Sequence, residues 1–217
     1  MIRSKAALIS SIIILAICMY LYFPFPNNEM LEARSTFMSF PISNQDGYIP
    51  LGIIGSILFI IALIFLFVGL KKYRIRTMVI VVIVYAILPN LLIIMYQETL
   101  ASGITAISYD GNGNCQFDDV SEDLLDGECN FVLHNRSGKG VSFELEFIDS
   151  FFREDGVRVE SLMNVAGPYH ITIKANRKKT IRLKELLELS DVPKHIEGGT
   201  SNNVHFKLID GEKTRTL

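Results

Sequence analysis

Three stretches of this chain contain no Asp, Glu, Lys, Arg or His: Ala6 to Tyr22, Ile49 to Leu70 and Thr77 to Tyr96. Ionisable groups inside apolar segments mark ion and substrate paths, so their absence disfavours a transporter acting alone. Tryptophan is missing altogether, and cysteine is limited to Cys18, Cys115 and Cys129. No C-x-x-C pair occurs, and His134, His170, His195 and His205 are scattered without metal-ligand spacing, so no metal site is assigned. The hydrolase signatures G-x-S-x-G, H-E-x-x-H and S-x-x-K are also missing, as is a glycine-rich phosphate loop. The chain therefore reads as non-enzymatic, with no catalytic residue and no cofactor.

The uncharged stretches are themselves the main positive signal. A hydrocarbon core of about 30 Å needs roughly 20 apolar residues at 1.5 Å each. Backbone polar groups must bond internally in lipid, so the three runs are expected to be transmembrane helices rather than strands. The first run follows Arg3 and Lys5 as a signal peptide would, but Cys18-Met19-Tyr20-Leu21-Tyr22 offers no small-residue cleavage site, which favours an uncleaved span. The string LAIC ending at Cys18 resembles a bacterial lipobox, except that Ile17 stands where a small residue is needed. Pro89-Asn90 in the third run reads as a tolerated kink. Gly52 and Ser56, four apart, offer a place where a neighbouring helix can approach closely.

Cations set the expected orientation. Arg3 and Lys5 precede the first run, and Lys71, Lys72, Arg74 and Arg76 crowd the short connection before the third, whereas the first loop has Arg34 against Glu29, Glu32 and Asp46. Positive-inside bias puts the N-terminus and the KKYRIR loop in the cytoplasm, and everything after Tyr96 outside. The expectation is a multi-pass cell-membrane protein with residues 1–97 as a three-helix membrane region and 98–217 as an extracytoplasmic domain. The first 97 residues hold seven Lys or Arg against three Asp or Glu (+4), the rest fourteen against twenty (−6), which together give the chain's −2. An acidic domain without a basic stripe argues against nucleic acid as a partner. Its one dense basic run, Asn176-Arg177-Lys178-Lys179, reads as a solvated hairpin turn.

Cys115 and Cys129 lie in this domain with thirteen residues between them. Two cysteines in an oxidising compartment point to a disulfide, and closing a loop of about 15 residues stabilises a fold by roughly 3 kcal/mol. Cys18, inside an apolar run, reads as a small hydrophobe.

The domain itself has period two. Val141-Ser142-Phe143-Glu144-Leu145-Glu146-Phe147 alternates strictly, which puts Val141, Phe143, Leu145 and Phe147 on one buried face. ECNFVLH before it, joined through NRSGKG, reads as its antiparallel hairpin partner. YHITIKA turning at NRK into KTIRL reads as a second hairpin. ITAISY at 104–109 supplies an opening strand, VHFKL at 204–208 a late one, and LKELLELS (183–190) a helical turn. Six or more short strands over about 115 residues suit an antiparallel β-sandwich. The stretches CNFVLHNRSGKGVSFELEFID and ITIKANRKKTIRL resemble the small immunoglobulin-like or fibronectin-like ectodomains of Gram-positive bacterial envelope proteins. That resemblance covers the C-terminal half and implies an immunoglobulin-like sandwich. The strand tryptophan of antibody domains has no counterpart, and the two cysteines flank an early loop instead of joining distant strands.

Asp110-Gly111-Asn112-Gly113-Asn114 matches the start of a calcium loop, but Cys115 replaces the turn Gly and Ser121 the closing Glu, although Asp118, Asp119, Glu122 and Asp123 crowd nearby. The stretch from Asp110 to Asp119 thus reads as an acidic loop pinned by the disulfide, without a tight metal site. Asn135-Arg136-Ser137 would be a glycosylation sequon in a eukaryotic secretory protein and is otherwise a turn. The expected role is a non-enzymatic membrane protein whose sandwich meets a protein or cell-wall partner. The alternative is an accessory or sensor subunit of a transporter, channel or signalling complex.

Overall fold

A computed structural model describes residues 2–21, 35–38, 40–43, 47–121, 123–149, 157–202 and 204–217. The charges Glu29, Glu32, Arg34, Asp46 and Glu122 lie outside the described residues. The chain divides into two compact units, Met1–Ile94 and Met95–Leu217.

The first unit contains α1 (Lys5–Leu21), α2 (Pro50–Gly69) and most of α3 (Arg74–Thr99), with a small hairpin of β1 (Ser35–Phe37) and β2 (Phe40–Ser43) between α1 and α2. At 1.5 Å per residue the 20 residues of α2 extend about 30 Å and the 26 of α3 about 39 Å. Both are long and apolar enough to cross a membrane. The 17 residues of α1 extend about 25 Å, so among the described residues two helices are of spanning length where the apolar runs predict three. Pro50 opens α2 at its first turn, where a missing N–H costs nothing. Pro89 sits within α3, which continues through it.

Gly52, Gly55, Phe59, Ala62, Leu66 and Gly69 are the buried residues of α2. They recur at alternating steps of three and four, the seam spacing of close helix pairs. Small residues let α1 approach in antiparallel sense. The Ser11 hydroxyl donates to the Ala62 carbonyl at 2.8 Å, and a Cβ on Gly69 would lie 3.0 Å from the Leu8 nitrogen. The Arg3 N–H donates to the Gly69 carbonyl at 2.8 Å, which places Arg3 and Lys5 at the same end of this pair as the KKYRIR loop. Gly52 serves a different purpose from the expected helix contact. A Cβ there would collide with the Pro41 carbonyl oxygen of β2, while Ser56 bonds back to Gly52 within its own helix at 2.8 Å.

Among its described residues the second unit is β apart from the end of α3 and two 3-10 turns, Gly103–Ala106 and Glu160–Val165. Its strands are β3 (Ile107–Tyr109), β4 (Asn114–Ser121), β5 (Leu124–Asn135), β6 (Val141–Ile148), β7 (Tyr169–Ile173), β8 (Arg177–Glu188), β9 (Gly199–Asn202), β10 (His205–Asp210) and β11 (Lys213–Thr216). One antiparallel sheet has the order β11-β10-β6-β7. In the other, β5 is flanked by β8 on one side and by β4 and β3 on the other, with β9 outside β4. Inward positions alternate as expected: Val141, Phe143, Leu145 and Phe147 of β6 are all buried. Phe131 of β5, Phe147 of β6 and Phe206 of β10 meet between the sheets, with Phe131 and Phe206 centroids 4.6 Å apart and Phe147 about 6 Å from each.

Four segments fold differently from the sequence expectation. NRSGKG does not close a hairpin, because β5 and β6 belong to different sheets. The NRK connection between β7 and β8 also passes from one sheet to the other. Both segments are arches across the sandwich; a polar Gly-containing turn reverses the chain equally well beside a strand or over it, and period two is the same in either case. LKELLELS is strand, since β8 pairs with β5 through Glu188; cross-strand pairing overrides the helix propensity of Leu, Lys and Glu. Of ITAISY, only Ile107–Tyr109 is strand, and the residues before it form a 3-10 turn.

Candidate interaction surfaces

Cys115 and Cys129 stand directly opposite each other on β4 and β5, and their sulfurs are bonded. Both point into the core and are fully buried. The bond therefore does more than pin a loop: it ties together the two strands of one hairpin. The expected acidic loop is half strand, with Asp118 opposite Asp126 and Asp119 opposite Leu125. Replacing both cysteines by Ala should lower the stability of this unit by about 2 to 4 kcal/mol. Unreduced peptide mapping should recover the 115–129 link; two free thiols in protein from its native host would contradict it.

The hairpin end concentrates acid. Asp118, Asp119, Asp123, Asp126, Glu128 and Glu188 gather on β4, β5, their turn and the end of β8, with Lys184 as the facing cation. Lys184 bonds the Asp126 carboxylate at 2.9 Å, which raises the pKa of its ammonium. Among the acids lie two exposed apolar side chains, Leu186 at 61% and Val120 at 56% exposure. Asp118, Asp126 and Leu186 form one row across three strands, and Val120 occupies an irregularity in β4 between Asp119 and Ser121. A depression of about 360 Å3 at this end of the unit is lined by Asp119, Ser121, Leu124, Leu189, His195 and Ile196. Leu186 went unnoticed in the sequence because LKELLELS reads as helix; two adjacent leucines on a strand require one to face outward.

These acids are not arranged as a calcium loop. The Asp110 carboxylate accepts from the Asn112 N–H at 3.1 Å, and that of Asp118 from the Gln116 amide at 3.0 Å. Among the described residues no three His, Cys, Asp or Glu side chains are grouped to hold a metal ion. The histidines are not brought together either. His170 lies 3.6 Å from Glu144, His195 Nδ1 is 2.8 Å from the Val192 carbonyl, and His205 is opposite Ile148 in the sheet. His134 has a buried Nδ1 without a hydrogen-bond partner. Burial first, then Arg136 and Lys178, lower its pKa, so acidification favours the unfolded chain, which takes up the proton more readily.

The opposite end of the sandwich is basic and is organised by one buried amide. Asn135 Nδ2 donates to the carbonyls of Lys139 at 2.7 Å, Ile173 at 3.1 Å and Lys174 at 3.2 Å. Its Oδ1 accepts from the Ser137 N–H and hydroxyl. The two arches are thus held side by side, with a further bond from the Asn176 N–H to the Ser137 carbonyl at 3.0 Å. Lys139, Lys174, Arg177, Lys178 and Lys179 project from them, exposed. Arg177 to Lys179, expected as a solvated turn, open the edge strand β8.

The same end holds the chain that emerges from α3. Gln97 is buried and donates to the Thr105 and Ile107 carbonyls at 3.4 and 3.2 Å. Glu98 bonds Arg136 at 3.0 Å. The guanidinium of Arg215, 4% exposed, donates to the carbonyls of Ile104 and Thr105 at 2.9 Å and also to that of Ile107. Burial lowers its pKa to about 10, which leaves it charged at neutral pH. Residues 97–107 are consequently clamped onto the sandwich. Nothing in the sequence marks Asn135, Gln97 or Arg215 for these roles; each is an ordinary polar residue until distant backbone carbonyls surround it.

Comparison with known protein families, with curated proteins and with solved structures finds no match to this chain.

Proposed function

We propose that this is a non-enzymatic, multi-pass cell-membrane protein that presents an immunoglobulin-like sandwich outside the cytoplasm, to dock a protein or cell-envelope component at its acidic end. The strand order supports the immunoglobulin-like reading: β4-β5-β8 corresponds to strands A-B-E, and β11-β10-β6 to G-F-C, with β7 as an added C′. The Phe131, Phe147 and Phe206 cluster stands on strands B, C and F, where antibody domains carry a disulfide and a tryptophan. For the membrane, α1 runs antiparallel beside α2 from Gly69 toward Gly55, and the cationic N-terminus and KKYRIR loop share one end. By positive-inside bias that end is cytoplasmic.

The observation that carries the docking role is the two exposed apolar side chains, Leu186 and Val120, set among the carboxylates of the hairpin end. Apolar centres with a charged rim are the usual anatomy of protein interfaces. A second reading, an accessory or sensor subunit of a transporter, channel or signalling complex, is favoured by α3, in which only Tyr85, Pro89 and Gln97 are buried, leaving its flanks open to another helix. The two readings differ in where partner affinity resides. An impermeant crosslinker added to intact cells, followed by pulldown, should recover the same partner with full-length protein and with residues 95–217 alone, and Leu186→Glu should reduce recovery at least about tenfold. Recovery that requires the helices and ignores Leu186 would favour the subunit reading.

A further inference from the structure

We propose that the arch end of the sandwich rests on anionic phospholipid head groups, which it meets through Lys139, Lys174, Arg177 and Lys178. These four exposed cations come from two connections far apart in sequence. The Asn135 amide brings them together by holding the Lys139 and Lys174 carbonyls at once, at 2.7 and 3.2 Å. Arg177 and Lys178 follow directly, opposite Asn135 and His134 in the sheet.

Position identifies the partner. The unit that contains the arches begins at Met95, within α3, whose uncharged run ends at Tyr96. Gln97 and Glu98 are bonded to residues of this same end, Thr105, Ile107 and Arg136. The inference rests on α3 crossing a bilayer, and under that reading the arches lie at head-group level. A wall polymer farther out would have to reach past the sandwich to meet them.

Charge separation makes such contact compatible with an acidic domain. β5 runs from the acidic hairpin at Leu124 to Asn135, and eleven steps of about 3.3 Å put the two ends about 36 Å apart. That is several times the screening length of about 8 Å at physiological salt, so the distal carboxylates do not cancel the field of the arches. The acids nearer the arches are Glu98, bonded to Arg136, Glu144, beside His170, Asp110, which follows the Tyr109–Leu133 pair, and Asp210 and Glu212, which flank the β10–β11 turn next to Lys213. Each Lys or Arg close to an anionic surface multiplies binding by about fivefold.

Full-length protein in nanodiscs of phosphatidylcholine, with or without about a third phosphatidylglycerol, provides the test, read by hydrogen exchange at residues 136–140 and 174–179. Exchange there should be at least about fivefold slower in the anionic discs. The difference should vanish in about 1 M salt, where the screening length is about 3 Å, and in the Lys139→Glu, Lys174→Glu double variant, while the Asp118→Lys control retains it. Equal exchange in both discs overturns the proposal. So does slowing by soluble polyphosphate that anionic discs fail to match, which would assign the patch to an anionic polymer. Protein that does not enter nanodiscs at all instead refutes the membrane reading, a separately visible failure.

Discussion

Phe143→Asp should prevent residues 95–217 from folding, whereas Glu144→Lys should change their stability by less than about 0.5 kcal/mol. The two residues are neighbours on β6 with opposite fates. Phe143 is 4% exposed and belongs to the main core cluster, so a carboxylate there has neither water nor a partner, a penalty of several kcal/mol. That is a large share of the 5 to 15 kcal/mol by which a domain is stable. Glu144 points the other way, beside His170 at 3.6 Å, with 44% of its side chain exposed. Exposed pairs of this kind contribute at most about 1 kcal/mol. Circular dichroism and urea denaturation of both variants decide the matter; equal effects would mean that the pleat is assigned to the wrong face.

Phe206→Ala should cost about 3 to 5 kcal/mol, and Phe206→Leu markedly less. Phe206 is fully buried and touches rings on three other strands: Tyr109 of β3 at 4.6 Å, Phe131 of β5 at 4.6 Å and Phe147 of β6 at 6.1 Å. It joins the two sheets at their centre, so truncation to Ala opens a cavity that neither sheet can collapse into without shifting as a whole. Leu refills most of that volume and forfeits only the ring geometry, worth about 1 kcal/mol. Urea midpoints should rank wild type above Phe206→Leu above Phe206→Ala. A loss below about 1 kcal/mol for Ala would show that the sheets do not meet there.

What was legible locally, and what was not, follows the range of the interactions involved. The alternation of Val141 to Phe147 names the buried face of β6 because the pleat has a period of two whichever strand lies alongside. That same indifference hides the partner: β5 and β6 read as a hairpin, but they face each other across the core. From Leu183 onward the residues of β8 favour helix in isolation, and β5 holds them extended along its full length. The cysteine pair was legible because only Cys115 and Cys129 lie outside the apolar runs, but not that it bridges two strands of one hairpin.

Sequence alone determined the division into an apolar helical half and an acidic β half, because uncharged runs and alternating runs are properties of neighbouring residues. It also determined which face of β6 is buried and the candidate disulfide. Tertiary structure alone decided that both predicted hairpins are arches and that acid and base separate to opposite ends of β5. The physical reason is common to these. Each depends on which distant backbone comes to lie beside a residue, as when Asn135 bonds Ile173 and Lys174 nearly forty positions away, and local periodicity carries no record of that choice.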